Sequence, residues 1–217
     1  MGKVGILWDL DGTLLETLED LKDAVNQSMR HFGCPERTLE EVRRFVGNGA
    51  KRLIWQAMPG KEDDPDPQAV LDYFQEYYRS HCRIKTKPYD GIPEALDELA
   101  EAGYPMAIVS NKPDAAVKEL CAVYFPKLFA RGEGPDCPRK PSPDMVFKAM
   151  EAIGAERCIY VGDSEVDIAT AKNAGVPCLS VLWGFRDRED LGDAEFFCGD
   201  PRELPQVIAR MEEHYGL

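Results

Sequence analysis

The sequence predicts an α/β fold, a parallel sheet flanked by helices, with an all-helical insert directly after the first strand. Three observations carry this. Short apolar runs at 4–8, 105–109, 158–161 and 178–182 are bounded by Asp, Gly, Pro, Ser or Asn, the pattern of strands buried on both faces. Amphipathic stretches with a helical rhythm separate the later runs. Residues 15–82 carry helical patterns and no strand pattern.

The first strand, Val4-Gly5-Ile6-Leu7-Trp8, runs straight into Asp9, Leu10, Asp11, Gly12 and Thr13. Over 17–32, Leu18, Leu21, Ala24, Val25, Met29 and Phe32 share a helical face, and Gly33-Cys34-Pro35 stops the helix. Thr38, followed three residues later by Glu41, is a capping box ahead of Val42, Phe45 and Val46. Gly47-Asn48-Gly49 breaks that helix, 50–58 forms another, and the acidic, Pro-containing stretch 61–67 reads as a loop. A fourth helix at 68–82 carries Tyr73, Phe74, Tyr77 and Tyr78 as a packing stripe.

Beyond Pro88, helix and strand alternate. A helix at 93–102 is closed by Gly103, and the strand at 105–109 ends at Ser110-Asn111-Lys112. A helix follows at 113–124, with Pro113 at its start, then a short strand at 128–129 and a Gly- and Pro-rich loop at 132–143. A helix at 144–153 leads to the strand at 158–161, which ends at Gly162-Asp163-Ser164. A helix at 165–174, the strand at 178–182, a short strand at 196–197 and a last helix at 201–214 complete the chain. The expected division is an α/β core domain of residues 1–14 and 87–217 and a helical domain of residues 15–86.

Composition narrows the function classes. The 217 residues carry a formal charge of −13, which argues against nucleic acid and anionic membrane as partners, since both require a basic footprint. Seven cysteines, an odd number with no C-x-x-C pair, predict neither disulfides nor a zinc site, and Cys158 and Cys178 read as small buried residues. No apolar run approaches the ~20 residues of a membrane helix, and no signal peptide is read, so a cytoplasmic monomer or homodimer is expected. Met1-Gly2 opens like a myristoylation site, but Ile6 stands where Ser or Thr is required. His31, His81 and His214 lie outside every motif and read as packing or surface residues.

Four polar clusters remain: Asp9/Asp11/Thr13, Ser110-Asn111, Arg139-Lys140 and Asp163/Asp167. Singly, each has a bland reading: Asp163 or Ser110 as a helix cap, Lys140 as a loop lysine. Together they bring acids, a hydroxyl and a cation to one edge of a parallel sheet, where ligands of such sheets bind. Paired buried carboxylates call for a hard cation such as Mg²⁺, and a lysine with main-chain N–H groups suits a tetrahedral anion. Asp167, four residues after Asp163, is expected on the same helix face.

Asp9-Leu10-Asp11-Gly12-Thr13-Leu14 resembles the first motif of the haloacid dehalogenase-like superfamily. Ser110-Asn111 resembles its second motif, Lys140 its third, and Gly162-Asp163-x-x-x-Asp167 its fourth, in the family's order. The resemblance implies a Rossmann-like core and makes the insert a type 1 cap. Within it, Phe45-Val46-Gly47-Asn48-Gly49-Ala50 resembles the cap segment of phosphoglycolate phosphatases. Asp9 is then the nucleophile and Asp11 the acid and base, with Thr13 holding Asp11 and helping to bind phosphate. Mg²⁺ is held by the carboxylates of Asp9 and Asp163 and the main-chain carbonyl of Asp11. Ser110 and the Asn111 N–H bind phosphate, Lys140 neutralises it and steadies Asp9, and Asp167 stands beside the metal or Lys140. Gly47, Asn48 and Gly49 offer N–H groups to a small anionic group on the substrate. Glu16-Thr17 stands where many relatives have Asp-Ser, and Trp183-Gly184-Phe185-Arg186 resembles a loop that rims the site in relatives.

The function implied is a Mg²⁺-dependent phosphatase acting on a small phosphorylated metabolite, phosphoglycolate first. The alternatives are a phosphomutase of the β-phosphoglucomutase kind, a pyrophosphatase or nucleotidase of the same superfamily, and a non-catalytic binding module.

Overall fold

The computed structural model describes residues 4–61, 64–192 and 194–217. The Met1-Gly2 opening and the acids Glu62, Asp63 and Asp193 lie outside the described residues. The chain divides into two compact units, Met1–Leu15 with Pro88–Leu217, and Glu16–Lys87.

Strand β1 (Gly5–Trp8) is buried throughout. The chain leaves it through β2 (Leu15–Glu16), a two-residue strand too short to show any period in the sequence. The second unit then builds from α1 (Leu18–His31), α2 (Leu39–Phe45), α3 (Gly49–Ala57) and α4 (Pro67–His81). The capping box forms as expected: the Thr38 side chain accepts from the Glu41 N–H, and Glu41 reaches back to the Thr38 N–H. Leu21, Val25, Met29, Val42, Ile54 and Phe74 make the unit's core. Of the aromatic stripe, Phe74 and Tyr78 are buried, whereas Tyr73 and Tyr77 stack on His31 and His81. Buried Asp20 accepts the N–H groups of Ile84, Lys85 and Thr86 and the Thr86 hydroxyl, which ties the unit's last segment to α1. That carboxylate is compensated by four donors, as burial demands.

The chain crosses back at β3 (Lys87–Pro88), which pairs with β2. The first unit resumes with α5 (Ile92–Glu101), β4 (Met106–Pro113), α6 (Asp114–Tyr124) and β5 (Phe129–Glu133). It continues with α7 (Asp144–Ile153), β6 (Cys158–Gly162), α8 (Glu165–Ala174), β7 (Cys178–Val181), β8 (Phe196–Cys198) and α9 (Leu204–Tyr215). Six strands form one parallel sheet in the order β5-β4-β1-β6-β7-β8. Leu7 sits opposite both Ala107 and Tyr160. Those three join Val109, Met145, Val146, Ala149 and Ala171 in a buried core. With β1 between β4 and β6, the strand order reverses beside it, and a ligand crevice belongs at its carboxyl end.

Several expectations need correction. Strand β4 does not stop at Val109; it runs through Ser110-Asn111-Lys112 to Pro113 with a register shift against β5. Gly132 permits this: a Cβ there would crowd the Lys112 carbonyl and the Asp114 main chain. Gly132 and Glu133 therefore belong to β5 and not to the loop. The last helix is preceded by a separate 3-10 turn, Pro201–Glu203, capped by Asp200. The bland alternative of Asp163 and Ser110 as helix caps, set aside above, does not apply, since Ser164 and Pro113 hold those positions. Cys158 is buried, Cys178 is only partly so, and all seven cysteines are free. No helix among the described residues is long and apolar enough to cross a membrane.

Candidate active site

Asp9 continues β1 by one ladder bond, its N–H donating to the Val161 carbonyl at 2.9 Å. That bond brings its side chain out at the carboxyl end of the sheet. One oxygen, Oδ1, accepts the Leu10 N–H at 2.7 Å and the Lys140 ammonium at 2.8 Å. The chain then turns at Gly12, where φ is +85°, and Leu14 and Leu15 both donate to the Leu10 carbonyl. Only glycine suits this turn, because a Cβ would also collide with the Asp163 carboxylate.

Asp163 follows β6 and is buried. Its Oδ2 accepts the Phe185 N–H at 2.7 Å and its Oδ1 the Thr13 hydroxyl at 3.3 Å. The expected Thr13–Asp11 contact is thus replaced by Thr13–Asp163. Gly184 has no room for a Cβ between Asp163 and the Gly12 carbonyl, and the Trp183 indole donates to the Thr13 carbonyl at 3.0 Å. The segment after β7 therefore braces Asp163 and the first turn from behind.

Lys140 arrives on a loop that Asn111 clamps: the Asn111 side chain accepts the Lys140 N–H at 2.6 Å and donates to its carbonyl at 3.1 Å. The ammonium contacts Asp9 at 2.8 Å, Asp167 at 2.7 Å and the Tyr160 hydroxyl at 3.1 Å. An ammonium has three donors, and three acceptors surround this one. Asp167 meets Lys140 through Oδ1, while Oδ2 accepts the Ser164 N–H and hydroxyl. Asp163 precedes α8 and Asp167 lies in its first turn, so the shared helix face expected for them does not exist. They converge because a strand end and a capping box face the same point. Asp11 pairs through Oδ2 with buried Lys112 at 3.0 Å, and its Oδ1 is buried without a partner among the described residues.

The electrostatics of the cluster favour a cation. Burial, then Asp167 and Asp163, push the Asp9 carboxyl well above its usual range despite Lys140. Burial and Asp167 push Asp163 up to about 7. Burial opposes the Lys140 ammonium, yet Asp167 and Asp9 outweigh it and hold that ammonium protonated far above its ordinary value. Asp9, Asp163 and Asp167 offer oxygens within 4.8 Å of one another, and Lys140 supplies one compensating charge. Three buried carboxylates against one ammonium fit a hard divalent cation with oxygen ligands.

Asp9, Asp11, Thr13, Ser110, Asn111, Lys140, Asp163 and Asp167 thus come from the turn after β1, β4, the loop before α7, and the β6–α8 junction of one unit. Gly47, Asn48 and Gly49 belong to the other unit, at the turn from α2 to α3, where Gly47 and Gly49 take φ of +120° and +79°. Lys112, Tyr160 and the Phe185 N–H escape sequence reasoning. Tyr160 reads as one more apolar residue of a buried run, and the partner of Lys112, Asp11, lies about a hundred residues earlier in the turn after β1. A lysine inside an otherwise buried strand end was the available signal.

Comparison with known proteins agrees with this arrangement. Residues 6–181 match the haloacid dehalogenase-like hydrolase family model. The chain is 35% identical over 196 residues to a phosphoglycolate phosphatase of Mesorhizobium japonicum, covering 87% of this chain and 86% of that one. It is 31% identical over 220 residues to the N-acetylmuramic acid 6-phosphate phosphatase of Pseudomonas aeruginosa, covering 94% of each. A Lactobacillus delbrueckii crystal structure, provisionally assigned as a phosphoglycolate phosphatase, superposes with a TM-score of 0.86 at 34% identity, covering 96% of this chain and 99% of that one. The motifs, their convergence at one sheet edge and these matches place the chain in the haloacid dehalogenase-like hydrolase family, in its phosphoglycolate phosphatase-like subgroup.

Proposed function

We propose that this chain is a Mg²⁺-dependent phosphatase that hydrolyses a small phosphate monoester, phosphoglycolate first, through a phospho-aspartyl intermediate on Asp9. The observation that carries it is the Asp9 carboxylate at the end of the central strand, tethered among the described residues through Oδ1 by Lys140 and the Leu10 N–H. The other oxygen, Oδ2, takes the attacking role.

Ser110 and the Asn111 N–H, on β4, donate to the phosphate oxygens, and Lys140 offsets their charge. Asp9 Oδ2 forms a bond to phosphorus while the bond to the leaving oxygen breaks, and Asp11 hands that oxygen a proton. A water then attacks phosphorus and yields a proton to Asp11, the Asp9–phosphorus bond breaks, and inorganic phosphate departs. Mg²⁺, held by the carboxylates of Asp9 and Asp163 and the main-chain carbonyl of Asp11, would supply the charge that lets two anions approach. Asp167 keeps Lys140 aimed at Asp9. Thr13 steadies Asp163.

The substrate rests on the relatives. Those named above act on phosphorylated acids by their names, and the turn Gly47-Asn48-Gly49 suits a small anionic group. The residues 15–86 act as the cap domain of this reading, and residues 1–14 with 87–217 as its catalytic core. All seven cysteines are free, which fits a reducing cytoplasm.

Phosphate release from a panel of monoesters and pyrophosphate, with and without Mg²⁺, tests the proposal. Wild type is expected to release phosphate from phosphoglycolate only with the metal. Asp9→Asn should lower kcat by about a thousandfold or more. Full activity in that variant would refute the mechanism, and a product retaining its phosphate on an isomerised sugar would indicate a mutase.

A further inference from the structure

We propose that Lys112 is a specificity-determining residue: it aims the Asp11 carboxylate and fixes a positive charge where the leaving group departs, which selects monoesters whose leaving group is itself an acid. The inference rests on the reading above, in which Asp11 gives its proton to the leaving oxygen.

The carrying observation is the pair of buried Lys112 and partly buried Asp11, Nζ to Oδ2 at 3.0 Å, with side chains 5% and 14% exposed. A leaving oxygen within hydrogen-bond reach of Asp11 lies one further contact from that ammonium. Lys140, the site's other buried cation, is taken up by Asp9, Asp167 and Tyr160. The positive charge on the leaving-group side therefore comes from Lys112.

Its placement is rigid. The Lys112 N–H donates to the Ser110 hydroxyl oxygen at 3.3 Å, and the Lys112 carbonyl faces Gly132 with no room for a side chain between. One strand, β4, thus carries the phosphate-side hydroxyl and the leaving-group-side ammonium. An apolar residue of similar volume packs in such a position without the desolvation cost of an ammonium. The charge answers to Asp11 and to what Asp11 serves. A carboxylate on the leaving group gains a partner there, whereas a neutral alcohol does not.

The test compares wild type, Lys112→Met and Lys112→Arg, with Mg²⁺, on 2-phosphoglycolate and 2-hydroxyethyl phosphate. The second substrate keeps the two-carbon leaving group and lacks the carboxylate. Wild type is expected to prefer phosphoglycolate in kcat/KM. Lys112→Met should shrink that preference by about tenfold or more, and Lys112→Arg should restore most of it. If the Met variant fails to fold, Lys112→Gln carries the same comparison. Equal losses on both substrates, or an unchanged preference, would overturn the proposal. Wild-type hydrolysis of neutral monoesters alone would overturn it too, while leaving the phosphatase reading standing. Hydrolysis of no monoester at all would sink that reading, and this inference with it.

Discussion

Lys140 and Asp167 form a buried ion pair, Nζ to Oδ1 at 2.7 Å, with side chains 2% and 0% exposed. Asp167 also anchors to Ser164, so the lysine is aimed from the start of α8. Asp167→Asn keeps the volume and removes the charge that pulls on the ammonium. We expect kcat to fall by about 10–100-fold with KM little changed, the loss typical of a supporting partner. Steady-state kinetics decide it, and an unaltered kcat would show that Lys140 is positioned without Asp167.

Tyr160→Phe removes the third acceptor of the Lys140 ammonium, whose hydroxyl contact measures 3.1 Å. A buried donor left short of a partner costs about 1–3 kcal/mol. Urea denaturation should record that loss in metal-free protein. No change in the midpoint would mean the hydroxyl is dispensable.

Metal and pH are linked through Asp163, whose carboxyl rises from 3.8 to about 7 through burial and Asp167. A carboxyl with a raised folded pKa holds its proton more tightly folded than unfolded. The stability of the metal-free protein therefore falls as pH climbs from the ordinary carboxyl value through 7. On the proposed function, Mg²⁺ competes with those protons, and its stabilisation is expected to grow toward alkaline pH. At a hundredfold excess over its Kd the gain is about 2.7 kcal/mol, or about 5–10 °C in Tm for a chain of this length. Calorimetry with and without Mg²⁺, at pH values one unit either side of 7, tests the sign. A larger metal shift on the acid side would contradict it.

Gly12→Ala introduces a Cβ into the Asp163 carboxylate at a φ of +85°. Strain of about 1–3 kcal/mol follows, with Asp163 displaced. The Mg²⁺ concentration for half-maximal activity should rise by about tenfold or more, beyond any change in KM for the monoester. Metal titration of the activity checks this, and an unmoved midpoint would show that Asp163 does not need its present position.

Strands and helices of the first unit were legible because buried runs and capping residues are local signals: α8 and its Gly175 terminus follow from sequence alone. The strand order was not, since nothing local tells β1 that its neighbours are β4 and β6. The motif residues were legible because their chemistry is unusual at strand ends. Their contacts were not. Thr13 turns to Asp163 and Asn111 spends its side chain on the Lys140 loop, pairings fixed by tertiary approach. The extension of β4 past Val109 depended on Gly132, a residue on another strand.

The place of β1 also sets an order of events during synthesis. Its hydrogen-bonding partners begin at Met106 and Cys158, beyond the whole helical unit. A ribosome therefore exposes an apolar strand with both edges open, and then completes α1 to α5 before either edge can close. Local helical contacts form quickly while the sheet must wait. The nascent chain carries Asp9 on an unfinished sheet until β6, in the last third of the protein, has been made.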